Sequence, residues 1–334
     1  MLLMTYGSPA DLDDMPRYLA AVRGGREPSI EIVTEFRRRY EAIGGSPLIA
    51  ITRSQAEALA DRLGAEALVE IGMRFSEPSV AAGLRELAEQ GCDRVVGIVM
   101  SPQYSDLLMS GYQRAFDTAA AELGPAAPEV RLAPAWFRNA RFLEAVAERV
   151  REGLKRLPDG TPVLLTAHSL PRRVADAEPG YLTQLRETAE AVAARADIGE
   201  WHFCWQSAGH EPGEWMKPDF SDLLPQLRNA GHRSVLVAPI QFLADHLEVL
   251  YDIDIGAREQ ADAAGMAFAR IESLNVMPLF IEALAEVALA EVALATAPNG
   301  AAEHQAAPGA TSRPRRLTGG RTGCPRRPRP RAAR

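Results

Sequence analysis

A chain of 334 residues, 47% hydrophobic and 24% charged, has the composition of a folded globular protein of one or two domains. Its net charge of −7 conceals an asymmetry: residues 296–334 hold nine Arg and one Glu, which leaves 28 basic and 43 acidic residues, a charge of −15, before them. A body that acidic excludes a general nucleic-acid binder, and no apolar stretch reaches the roughly 18 uninterrupted residues of a membrane span, since even 281–297 carries Glu282, Glu286 and Glu291.

Short apolar runs of β type fall at 2–5, 67–71, 95–100 and 130–133, and again at 162–167, 201–204, 234–238 and 267–271. Amphipathic stretches lie between them, among them 51–63, 78–90, 139–155, 181–195 and 277–295. Such alternation predicts parallel sheets covered by helices. Four strands per half suggest an internal repeat, and local echoes support it. Leu2-Leu3-Met4-Thr5-Tyr6-Gly7-Ser8-Pro9 parallels Leu164-Leu165-Thr166-Ala167-His168-Ser169-Leu170-Pro171, and Val99-Met100-Ser101-Pro102-Gln103 echoes Val237-Ala238-Pro239-Ile240-Gln241. The expected fold is therefore α/β: two Rossmann-like lobes, 1–156 and 157–297, each a four-stranded parallel sheet flanked by helices, with a cleft between them. Ligands of open α/β sheets bind beyond the carboxyl ends of the strands, which puts Tyr6 and His168 at matching lips. Residues 298–334, rich in Pro and Arg with Leu317 as their one large aliphatic side chain, are expected to be a disordered tail. The start shows no secretory pattern, so a cytoplasmic location is expected. Cys92, Cys204 and Cys324 form no CxxC pair, so neither a disulfide framework nor an iron–sulfur cluster is expected.

Chemistry-bearing residues concentrate at two strand ends. His168, in Thr-Ala-His-Ser-Leu-Pro, can accept a proton or bind a borderline divalent metal, although a ring that merely bonds a nearby carbonyl fits the same position. Asp245-His246-Leu247-Glu248-Val249-Leu250-Tyr251-Asp252 places Glu248 and Asp252 on one helical face, while Asp245 alone would suit a helix N-terminus. Arg37-Arg38-Arg39 cannot all face one way, which leaves one of them for an anion.

Taken together, Tyr6-Gly7-Ser8-Pro9, Arg39-Tyr40-Glu41-Ala42-Ile43-Gly44-Gly45-Ser46-Pro47, Gly72-Met73-Arg74, Pro102-Gln103-Tyr104, Ala167-His168-Ser169-Leu170-Pro171, Trp205-Gln206-Ser207 and Asp245-His246-Leu247-Glu248 resemble, in the same order, the serial motifs of the ferrochelatase family. The resemblance covers about residues 1–295. It implies a chelatase of two Rossmann-like lobes that inserts Fe²⁺ into a porphyrin, with His168 and Glu248 as catalytic and metal-site residues. It further implies Tyr6 at the opposite face of the macrocycle, as in coproporphyrin-type members, and Arg23, Arg39, Tyr40, Ser46 and Tyr112 along the propionates. Gly24 departs from the pattern where relatives often have a second Arg, and Gly256 interrupts the acidic ladder. The implied substrates are coproporphyrin III and Fe²⁺, with no permanently bound cofactor, a monomeric state, no nucleic-acid or membrane partner, and a downstream coprohaem decarboxylase as the product's recipient. Protoporphyrin IX as substrate, cobalt or nickel insertion into another tetrapyrrole, and a non-catalytic haem carrier are the alternatives.

Overall fold

The computed structural model describes residues 1–296 apart from 66 and 210–212. The first sheet is built from β1 (Leu2–Thr5), β2 (Glu70–Met73), β3 (Arg94–Val99) and β4 (Glu129–Leu132), all parallel, in the order β2-β1-β3-β4. The second repeats that order one half later, β6-β5-β7-β8, from β5 (Val163–His168), β6 (Trp201–Gln206), β7 (Ser234–Pro239) and β8 (Ala267–Arg270). Central strands β1 and β7 are buried along their whole length, as strands covered on both faces require. Strand β2 begins three residues later than its apolar run, because its partner β1 offers a neighbour only from Leu2, which is paired with Glu70.

In chain order the helices are α1 (Met15–Val22), α2 (Ile30–Ala42), α3 (Leu48–Leu63), α4 (Val80–Glu89), α5 (Asp106–Leu123), α6 (Ala140–Leu154), α7 (Arg172–Ala177), α8 (Pro179–Ala196), α9 (Phe220–Asn229), α10 (Arg258–Ala263) and α11 (Pro278–Thr296). Several start on the side chain the sequence supplies: Ser79 accepts from Ala82 N, Asn139 from Arg141 N and Phe142 N, and Asp219 and Asp222 form a reciprocal capping box. A π-helix, Glu248–Ala257, runs directly into α10. None of the described helices is long and apolar enough to cross a membrane.

Helix α6, although it precedes β5, packs on β7, α8 and α11. Helix α11 in turn leaves the second sheet and lies on α3 and α6, reaching β3. One apolar cluster therefore joins Leu3, Leu59 and Ile98 to Leu236, Phe280 and Ile281, with the Trp136 ring 6.4 Å from that of Phe280 and edge-on to Phe142 at 5.3 Å. That shared core fixes the carboxyl ends of β1 and β5 relative to one another.

Candidate active site

His168 is the last residue of β5. Its Nδ1 lies 2.6 Å from the carbonyl oxygen of Ser169, an acceptor only, so Nδ1 carries a proton and Nε2 is the ring nitrogen left to face the site. That Nε2 stands 3.4 Å from Glu248 Oε1 at the first turn of the π-helix. The other oxygen, Oε2, is 3.3 Å from His246 Nε2, whose Nδ1 is held at 2.9 Å by the Ala244 carbonyl. One carboxylate thus sits between two imidazoles. Desolvation alone would raise Glu248, but the His168 charge opposite and the His246 hydrogen bond outweigh it and hold the carboxyl at about 2. Burial pulls His246 down and the same pairing overrides it, so its ring titrates above the ordinary histidine value. One turn on, Asp252 is pushed up, chiefly by burial and further by the Glu248 charge.

The loop carrying these groups is clasped from behind. Asp245 accepts from Ser273 Oγ at 2.7 Å and from Asn275 Nδ2 at 2.9 Å, returns its own N–H to Asn275 Oδ1 at 3.0 Å, and stands 3.4 Å from Arg270, which also grips Asp254. Its carboxylate therefore serves this clasp instead of a helix dipole. Arg149, Asp245, Arg270 and Glu272 line a cavity of about 450 Å³ behind the clasp, which none of the sequence-predicted site residues touches.

On the first lobe, Tyr6 follows β1 and is 42% exposed, its ring edge-on to Phe75 at 4.6 Å. Desolvation, reinforced by the Glu248 charge, pushes its phenol up to about 12. Gly7 beside it has φ +94°, and a Cβ there would fall 2.1 Å from Ser76 Oγ, the acceptor for Ser8 N. Tyr40 is buried and bonded to the Tyr18 hydroxyl; because Tyr18 donates to the Gly7 carbonyl at 3.2 Å, Tyr40 is the donor of that pair. The two tyrosines thus support the Tyr6–Gly7 turn from beneath. Leu247 of the metal-side loop packs into the same apolar group as Tyr18 and Tyr40.

The remaining expected substrate contacts are spread along the first lobe. Arg39 donates to Glu35 at 2.8 Å, stands 3.6 Å from Asp252 and lies over the Tyr251 ring at 5.2 Å, bridging α2 to the π-helix. Ser46 accepts from Leu48 N at the start of α3, and Arg23 is exposed at the end of α1. Tyr112 is only 6% exposed and is covered by the Arg74 guanidinium, 5.5 Å above its ring and 4.6 Å from that of Phe75. Gly111 makes that layer possible, since a Cβ would meet Arg74 at 2.0 Å. The structure thus brings His168 and Arg39 to the π-helix that carries Glu248, sets Tyr6 and Tyr40 within reach of the Glu248 charge, buries Tyr40 and Tyr112, and places Arg23 at the end of α1 and Ser46 at the start of α3. His246, Tyr18 and Arg74 carried no predicted role, although His246 and Arg74 lie inside the resembling motifs.

A sequence profile describing the ferrochelatase family matches residues 1–292. The chain belongs to the ferrochelatase family. Among curated ferrochelatases, the coproporphyrin III ferrochelatase of Anoxybacillus flavithermus is 37% identical over 298 residues, covering 86% of this chain and 94% of its own. The Deinococcus radiodurans protein named ferrochelatase is 39% identical over 297 residues with the same coverage. Among solved structures, SirB from Bacillus subtilis with Fe3+ superposes with a TM-score of 0.55 at 11% identity, covering 88% of this chain and 95% of its own. That distant likeness bears on the fold alone: a chelatase-type pair of parallel sheets.

Proposed function

We propose that this ferrochelatase-family chain inserts Fe²⁺ into coproporphyrin III, giving the iron porphyrin and two protons. The observation that carries this reading is His168 Nε2, the ring nitrogen its backbone leaves unengaged, facing an ionised Glu248 at 3.4 Å. Metallation removes two pyrrole protons and strips water from the ion, so it needs a base near neutral pH and an anionic oxygen beside it. His168 Nε2 offers one lone pair to a proton or to the incoming ion, and Glu248 supplies the negative charge that favours either cation.

Coproporphyrin III is the substrate named for several relatives that match across 86% of this chain. A tetracarboxylate also suits a polar lip. Asp11 caps its own turn by accepting from Asp13 N and Asp14 N, and Asp14 pairs with Arg17, so this turn is predominantly polar. A monomeric state, a cytoplasmic location, the absence of a resident cofactor and delivery of product to a coprohaem decarboxylase complete the proposal. Anaerobic Fe²⁺ with each porphyrin, followed by absorbance, tests it. Multiple turnover with coproporphyrin III is expected. Faster metallation of protoporphyrin IX under matched conditions overturns the substrate assignment, and stoichiometric retention without turnover overturns catalysis.

A further inference from the structure

Beyond the last rung between β5 and β7, the ladder is completed by a side chain. Ile240 N donates to the Thr166 carbonyl at 3.0 Å. In a continued parallel ladder the next bond would run from His168 N to the Ile240 carbonyl. His168 N instead donates to Gln241 Oε1 at 2.9 Å. A backbone N–H can only donate, which fixes the orientation of the Gln241 amide and turns its NH₂ towards the Tyr181 hydroxyl, where Nε2 donates at 2.5 Å. Tyr181 is 2% exposed on α8, packed against Ala167, Leu185 and Trp205, so the far end of the tether is immobile. On its other side β5 pairs with β6, His168 opposite Gln206, and Ser169 N donates to the Gln206 carbonyl at 2.7 Å.

The imidazole is leashed to this same stretch of backbone, since Nδ1 bonds the Ser169 carbonyl. A shift of the backbone between His168 N, which Gln241 holds, and the Ser169 carbonyl, which holds the ring, therefore swings Nε2 away from Glu248. We propose that Gln241, anchored by Tyr181, is a positioning residue that aims His168 Nε2 at the incoming Fe²⁺ during metallation. This rests on the proposed function above.

The test compares wild type with Gln241→Met, which keeps the volume and loses the acceptor, and Gln241→Glu. The glutamate can accept from both His168 N and the Tyr181 hydroxyl. Each protein is measured for melting temperature, for hydrogen exchange at the His168 amide, and for the KM of Fe²⁺ and of coproporphyrin III separately. Expected for Gln241→Met is about tenfold faster exchange at His168, a KM for Fe²⁺ raised about tenfold with the porphyrin KM unchanged, and a melting temperature close to wild type; misplacing a reacting group by a fraction of an ångström carries penalties of that order. Gln241→Glu should recover Fe²⁺ KM to within about threefold of wild type. The proposal is overturned by a wild-type Fe²⁺ KM in Gln241→Met, by equal changes in both KM values, or by unchanged exchange at His168. Failure of wild type to metallate either porphyrin would instead sink the proposed function, and the exchange data would then judge the tether on their own.

Discussion

The turn after β1 offers a quantitative test of how the first lobe holds Tyr6. Replacing Gly7 by Ala puts a Cβ at a φ of +94°, which costs roughly 1–2 kcal/mol in the left-handed region. It also drives that Cβ to 2.1 Å from Ser76 Oγ, so the hydroxyl must leave Ser8 N, a buried donor whose loss of partner costs about 1–3 kcal/mol. The expected destabilisation of Gly7→Ala is therefore about 2–5 kcal/mol, and that of Ser76→Ala alone about 1–3 kcal/mol. Both changes forfeit the same hydrogen bond, and removing the hydroxyl also removes the closest contact of the new methyl. The double variant should be no less stable than Gly7→Ala, a coupling of about 1–3 kcal/mol. Urea midpoints at unchanged m-value measure each corner of the cycle. Additivity within about 0.5 kcal/mol would refute the reasoning, since it would show that Ser76 neither bonds Ser8 N nor obstructs residue 7. Because Tyr6 is the next residue, Gly7→Ala should also raise the porphyrin KM, and Ser76→Ala should do so less.

Three further outcomes follow from the site and the sequence. His168→Ala should lower metallation by about 10²–10⁴-fold, measured anaerobically with coproporphyrin III, and near-wild-type turnover would remove the imidazole from the mechanism. Glu248 titrates in the folded state at about 2 against an ordinary 4.5, so its ionised contribution is complete above 4.5 and is lost as pH falls towards 2. The stability gap between wild type and Glu248→Gln should therefore be widest near pH 5, narrow below it as the carboxylate takes a proton, and narrow again above the ordinary histidine value as His246, raised by the same pairing, loses its own, whereas a gap that stays constant to the acid limit would contradict the pairing. Truncation after Asn299 should leave turnover and melting temperature unchanged, because every residue given a role precedes it; the Arg-rich segment with Cys324 lies outside the described residues, and a large loss in either readout would assign it a function.

The alternation of apolar runs sufficed to place eight parallel strands in two equal sets, because strands buried on both faces need continuous apolar sequence whatever their neighbours are. Helical periodicity was less informative about partners. It shows that 139–155 has an apolar face but not that this face covers β7 and α8 in the second half. The metal-side segment was legible in composition and not in geometry: nothing in Glu248–Ala257 announces a π-helix, and Asp245 looked like a dipole-favoured acid until Ser273 and Asn275, about thirty residues on, were seen to hold it. Gln241 was visible only as part of a repeat, since its partners lie 73 and 60 residues upstream. Tyr112 matched a substrate position by motif, yet Arg74, brought over it from a separate strand end, is what faces outward at that place.

The path of α11 has a consequence for how the protein is made. Ala56 and Leu59 on α3 belong to a cluster completed by Ile281 and Ala285, and Gln55 Nε2 bonds the Asn275 carbonyl. During synthesis these first-half side chains emerge from the ribosome more than two hundred residues before the helix that covers them. The amino-terminal sheet must therefore wait, with one flank bare, until α11 has been translated. The same Asn275 closes the clasp on Asp245, so the segment that leads into α11 also supplies a hold on the loop that carries Glu248. A nascent chain that cannot seat α11 is left without the Asn275 clasp on the loop that carries Glu248 as well as with exposed apolar surface, which ties the ordering of that loop to the step that covers the core.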